Sequence, residues 1–220
     1  MEHSMYNTLL QLPLFQGMSR TELSEVVEKV KLHFLRIEAK KKIFFQGESC
    51  NKLVFLLSGE LTSETHAPFG TFSLVETFDK PQMIEPHSLF GKRPSYKATY
   101  TAKSDVSLLT IDKQYIYGVL DKYEVFRMNL LNLLSNKAEQ LHTHIWSISP
   151  QPLEGRLAHF VRSLCSTPHG PKTLRIRMDD LATLLDDTRL NISRVLNKWQ
   201  QSGIIEMHRK EFVFHTIPTF

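Results

Sequence analysis

The sequence predicts an α+β fold: an antiparallel β-roll with flanking helices, then a long helix, then a small helical unit ending in a β-hairpin. Three observations predict it. Residues 34–111 carry short β-rich runs broken by Gly, Pro and polar residues. Residues 113–147 contain no proline and repeat apolar side chains at alternating spacings of three and four. Beyond Pro150-Gln151-Pro152, two short helical patterns lead into two β runs joined by a tight turn.

The bulk numbers suit a soluble globular chain. Its 220 residues are 41% hydrophobic and 23% charged, which argues against disorder or a fibrous repeat. The first residues, MEHSMYNTLL, lack the basic and apolar regions of a secretory signal. No run of about 18 apolar residues is present to span a membrane. The two cysteines, Cys50 and Cys165, are too few for a disulfide framework or a cysteine-held metal cluster. A reducing cytoplasm is the expected compartment. Of the net charge of +4, three units fall in residues 151–220, where ten Lys and Arg meet seven Asp and Glu. That asymmetry points toward a polyanionic partner for the C-terminal part.

Residues 1–33 read as helical. Leu9, Leu10, Leu12 and Leu14 form an apolar cluster, and Leu23, Val26, Val27 and Val30 follow at helical spacing. Ser19 and Glu22 have the spacing of a capping box. In the β section the runs IFFQGE, LVFLLSGEL, FSLVETF, YKATYTA and SLLTID come at close intervals, which favours an antiparallel sandwich or roll. Gly47, Gly59, Gly70 and Gly91 stand between them as turn residues.

The helix predicted over 113–147 carries Leu131, Leu134, Ala138, Leu141, Ile145 and Ile148 as a narrow seam with polar flanks, the pattern of a helix that pairs with a second copy. Residues 148–152 form a hinge. The domains expected are therefore 1–112, a sensor-like β-roll; 113–147, a dimerisation helix; and 153–220, a C-terminal unit.

In that unit, MDDLATLLDDTRLNISRVLNKWQQSG carries the chemistry. A helix-turn-helix needs two short helices crossing steeply, with a small residue at the close approach. Leu181, Leu185, Ile192 and Val195 take the inward positions, Ala182 the close approach and Asp186 the turn. Asp tolerates the left-handed backbone better than most residues. Thr188 caps the second helix, whose outward residues are Arg189, Asn191, Arg194 and Lys198. Arg pairs with guanine and Asn with adenine in the major groove, while Thr188 and Lys198 lie where phosphate contact is natural. IIEMH, the Arg209-Lys210 turn and EFVFH make a wing with two basic residues at its tip.

With both halves read, the chain resembles the Crp/Fnr family of bacterial transcription regulators over nearly its full length. IFFQGESCNKLVFLLSGEL, residues 43–61, is similar to the first turns of that family's cyclic-nucleotide-binding roll, and RLNISRVLNKWQQSGII to its recognition helix. The resemblance implies a double-stranded β-helix or jelly-roll sensor, a homodimer on pseudo-palindromic DNA, a small-molecule effector and RNA polymerase as a partner. It places Arg189 and Arg194 at the two recognition-helix arginines. Leu190 stands where many members have a cytosine-reading glutamate, so the half-site should differ from theirs. Arg177 replaces the usual Ser or Thr cap before the first helix and is counted with the DNA-binding residues.

The sensor cassette departs further. Where cyclic-AMP-binding members have Phe-Gly-Glu-Leu, this chain has Phe90-Gly91-Lys92-Arg93, and Lys97-Ala98 replaces the phosphate-binding arginine and its neighbour. Lys97 keeps the charge but not the bidentate fork, so cyclic AMP is not the expected effector. Lys92, Arg93 and Lys97 are candidates for an anionic metabolite. Two cysteines exclude the family's iron–sulfur cluster. Haem is left open, with ten histidines present and His87, His142 and His144 near the roll or the long helix. Two other functional classes are a regulatory module working through protein contacts and an enzyme. Against the latter stands the lack of a phosphate-binding glycine loop, His-Glu-x-x-His or Gly-x-Ser-x-Gly.

Overall fold

The computed structural model describes residues 2–146, 152–167 and 170–218, without the side chains of residues 2–5 and 144–146. Two helices open the chain, α1 (Glu2–Gln11) and α2 (Arg20–Lys29). The capping box expected at Ser19 forms: its Oγ accepts from the Glu22 N–H at 3.2 Å, and Glu22 accepts from the Ser19 N–H at 2.8 Å. Leu9, Leu14, Phe15, Leu23 and Val26 are buried against the roll.

Eight strands build the roll: β1 (Leu32–Ile37), β2 (Lys42–Phe44), β3 (Lys52–Ser58), β4 (Leu61–His66), β5 (Phe72–Phe78), β6 (Gln82–Ile84), β7 (Thr99–Ala102) and β8 (Val106–Asp112). All pair antiparallel, as the short runs predict. One face is the four-stranded sheet β1-β8-β3-β6. Gly59, in the β3–β4 turn, holds φ +91°, and an added Cβ would lie 2.9 Å from the Val106 Cα and collide with the Asp105 carbonyl. That turn accepts glycine alone.

The helix expected over 113–147 is divided. It becomes α3 (Lys113–Gly118), a single 3-10 turn at Leu120–Lys122, and α4 (Glu124–Trp146). Val119 (φ −127°, ψ −58°) and Tyr123 (φ −86°, ψ 114°) leave the helical region. The break turns Leu120 and Phe126 fully into the roll core, and the Tyr123 hydroxyl donates to Glu25 at 3.0 Å. Core burial outweighs helical continuity there. Phe126 packs at a tilt against Phe15 with ring centroids 5.4 Å apart, and the Asn129 amide donates to the Leu14 and Gln16 carbonyls at 3.2 and 2.9 Å. The start of α4 is thereby tied to the N-terminal segment.

The hinge expected at 148–152 lies outside the described residues except for Pro152, which precedes α5 (Leu153–Leu164). Then follow β9 (Lys172–Ile176), α6 (Met178–Leu184), α7 (Arg189–Gln201) and the wing, β10 (Ile205–His208) and β11 (Glu211–Phe214). A core of Leu157, Val161, Leu174, Leu181, Ile192, Leu196, Trp199 and Phe214 closes this unit.

The two units are not joined by a hinge alone. The second sheet runs β10-β11-β9-β5-β4-β7-β2, so the wing and the roll share one seven-stranded sheet. Antiparallel β5 and β9 place Phe72 opposite Ile176, Leu74 opposite Leu174 and Glu76 opposite Lys172. Leu74, a roll residue, belongs to the C-terminal core.

Candidate functional site

The helix-turn-helix is assembled as its sequence directs. α6 lacks a side-chain cap; Arg177 instead forks onto Asp180 at 2.7 and 2.8 Å, which holds the Asp180 carboxyl below its ordinary range. Asp186 takes the left-handed turn at φ 48°. Asp187 ties the turn together. Its carboxylate accepts from the Asn191 amide at 2.9 Å, the Thr188 N–H at 2.8 Å and Arg156 of α5 at 2.7 Å. Those donors, Asn191 foremost, hold its carboxyl below the usual carboxylate range. Thr188 caps α7, its Oγ1 accepting from the Asn191 N–H at 3.2 Å.

One side of α7 is buried through Ile192, Val195, Leu196 and Trp199, while Arg189, Leu190, Arg194, Asn197 and Lys198 are exposed. Leu190, at 61% exposure, is an apolar side chain with no core to enter. Arg189 reaches Asp179 at 3.3 Å, a loose contact between two solvent-facing groups. Lys198 is held to Glu154 at 2.7 Å. Asn191 is half-buried and committed to Asp187, so its carboxamide belongs to the turn in this structure. Asn197 was not among the residues singled out from the sequence. It falls three positions after Arg194 and seven after Leu190, a helical spacing that could have found it. At the wing tip Lys210 takes φ 63°, and its carbonyl accepts from the Ile176 N–H. Arg177, Arg209 and Lys210 line a basic cleft of about 550 Å³ with Arg175 and His66.

The sensor cassette is arranged around a carboxylate. Glu85, at φ 39°, accepts from the Lys97 N–H at 2.8 Å, the Ala98 N–H at 3.0 Å, the Tyr100 hydroxyl at 3.1 Å and the Ser88 hydroxyl at 2.6 Å. Burial, reinforced by the Glu85 charge, raises the Tyr100 phenol. Phe90, Gly91, Lys92, Arg93 and Lys97 are exposed and Ala98 is buried. Lys113 lies over the Phe90 ring, 4.6 Å from its centroid. A separate cavity of about 550 Å³ opens between the roll and α4, lined among others by Phe78, Met83, His87, Asn132, Lys137 and Thr167.

Along α4, Leu131 is 51% and Leu141 56% exposed; Ala138 is exposed and Leu134 half-buried. The Ile145 side chain and Ile148 lie outside the described residues. Among the described residues no helix is long and apolar enough to cross a membrane, and no cluster of three or more His, Cys, Asp or Glu could hold a metal ion.

An antiparallel β-roll followed by a winged helix-turn-helix defines a class of DNA-binding regulators. Residues 34–123 match the cyclic nucleotide-binding domain and residues 155–217 the Crp-like helix-turn-helix domain. The chain belongs to the Crp/Fnr family of transcription regulators. It is 24% identical over 203 residues to the cyclic AMP receptor protein of Thermus thermophilus, covering 89% of this chain and 88% of the relative. It is 23% identical over 185 residues to the global nitrogen regulator of a Nostoc species, covering 81% and 83%. Among solved structures, the Thermus thermophilus catabolite activator protein shares the fold with a TM-score of 0.54 at 20% identity over 92% of this chain and 93% of that one. The sensor domain of the regulator DNR from Pseudomonas aeruginosa matches with a TM-score of 0.53 at 21% identity, over 69% and 97%.

Proposed function

We propose that the chain is a cytoplasmic, homodimeric regulator that reads a pseudo-palindromic DNA site through α7 in response to an effector other than cyclic AMP. The observation that carries this reading is the outer face of α7. Arg189, Leu190, Arg194 and Asn197 stand exposed on a helix whose start is locked by Asp187 and Thr188. Base reading needs side chains of this kind on a rigid support. Leu190 suits a thymine methyl rather than cytosine. The exposed leucines of α4 supply the dimer seam. Two α7 helices would then enter successive major grooves roughly 34 Å apart.

Cyclic AMP is set aside because Lys92 and Lys97 replace the residues that would bind it, and because Glu85 already fills the Lys97 and Ala98 amides. RNA polymerase is the further partner that the family implies. Selection from random duplex DNA tests the reading. A palindromic consensus is expected, with thymine opposite Leu190; recovery of no consensus, with or without cell extract, would overturn it. Arg189→Ala should weaken binding to the selected site about tenfold or more, the loss of one bidentate base contact, while affinity for random DNA changes little.

A further inference from the structure

The joint between β5 and β9 does more than connect two units. We propose that it is a detachable latch: the resting chain holds its winged unit on its own sensor through the β5–β9 pairing, and operator binding draws on the released unit. This rests on the DNA-reading assignment made above.

Its centre is an ion pair with almost no access to water. Lys172 and Glu76 face each other across the strands at 2.9 Å, with side chains 1% and 2% exposed. Glu76 also accepts from the Ser166 N–H at 2.9 Å and the Thr167 N–H at 3.4 Å, and Lys172 donates to the Thr167 hydroxyl at 3.0 Å. A roll carboxylate is thus seated in a nest of donors belonging to the winged unit. Removing either charge leaves the other buried and uncompensated in the closed state, so the closed joint depends on both being in place. Around this pair, Phe72 packs edge-on against Phe160 at 5.7 Å. Arg175 bridges Glu64 of β4 and Glu211 of β11 at 2.7 and 2.9 Å.

The joint is also built to separate cleanly. When β5 leaves, β9 keeps its pairing with β11 and β5 keeps its pairing with β4. The winged unit's core is closed by its own helices and wing, with Leu74 as the roll's insertion. Opening therefore exposes one ladder, a few apolar side chains, the buried Lys172–Glu76 pair and the solvent-facing Arg175–Glu64 bridge, while each unit keeps its own remaining strand pairs. A winged unit fixed to its own roll cannot adjust to the groove spacing that two half-sites impose on a dimer. A freed one can.

The test uses the full chain with Val75→Cys and Thr173→Cys, which face each other across the latch and are only half-buried. Facing antiparallel positions lie within disulfide reach. Oxidation should lower affinity for the selected DNA at least tenfold with the circular dichroism unchanged, and reduction should restore it. Equal affinity of the oxidised and reduced forms would overturn the latch while leaving the DNA-reading assignment intact. A wild type that binds no DNA would sink that assignment instead, and the latch's role with it.

Glu76→Gln gives an independent reading. The variant weakens the closed joint and should tighten DNA binding severalfold with the circular dichroism unchanged. Unchanged or weaker DNA binding in a folded variant would count against the proposal.

Discussion

Asp186 and Gly59 both sit at positive φ, yet for different reasons. At Asp186 the demand is only conformational, a left-handed residue between two helices. Asp186→Gly should leave stability unchanged or raise it by a few tenths of a kcal/mol, and Asp186→Val should lower it by about 1–2 kcal/mol, read from urea midpoints. At Gly59 a steric demand is added, because a Cβ would meet the Asp105–Val106 backbone. Gly59→Ala should cost at least about 2 kcal/mol by the same measurement. Asp187 adds a pH dependence. Its donors lower its carboxyl in the folded state, so its contribution is complete at neutral pH and disappears as pH falls through that lowered value. Asp187→Asn should therefore unfold over a shallower acid limb in a circular dichroism titration. The Thr188 cap and the Asp186 turn were legible in the sequence because they depend on neighbours within four residues. The commitment of Asn191 was not, since it depends on where Asp187 points once Arg156 has arrived from α5.

For the elements, type was easier to read than continuity. The stripe of α4 was visible in its spacing, but the stop between α3 and α4 was not. The local signals, Gly118 and the β-branched Val119, are too weak to stop a helix by themselves; the burial of Leu120 and Phe126 decides it. The exposed stripe makes its own prediction. Leu131→Asp with Leu141→Asp should shift the chain from dimer to monomer in light scattering, since each places a charge in an apolar seam. The wing makes another. Arg209→Ala with Lys210→Ala should weaken DNA binding on all sequences alike and flatten the dependence of log K on log salt by about 2, one for each lost phosphate contact.

Across the whole molecule, the two-unit organisation was readable and the sheet that unites the units was not. A strand's partner is set by long-range packing that local periodicity does not encode. A trace of it did exist. Leu74, Glu76 and Phe78 alternate on one face of β5, and Lys172, Leu174 and Ile176 on one face of β9. In each run a single charge stands in a row of apolar residues, and two such rows of opposite sign suggest a pair. The energetic prediction belongs at this scale. Lys172→Met should destabilise by about 3–5 kcal/mol, and adding Glu76→Leu should recover most of the loss, measured as a double-mutant cycle in denaturant.

The distance along the chain between Glu76 and Lys172 has a consequence for synthesis. They lie 96 positions apart, so this pairing closes a long loop and forms late. As the chain leaves the ribosome, the roll completes its other strand pairs while the outer edge of β5 still awaits its neighbour. Until β9 emerges, that edge offers unpaired backbone groups and the apolar side chains of Phe72 and Leu74. A chain stopped short of residue 172 would carry a finished roll with a bare, adhesive border, and should aggregate where the full-length chain does not.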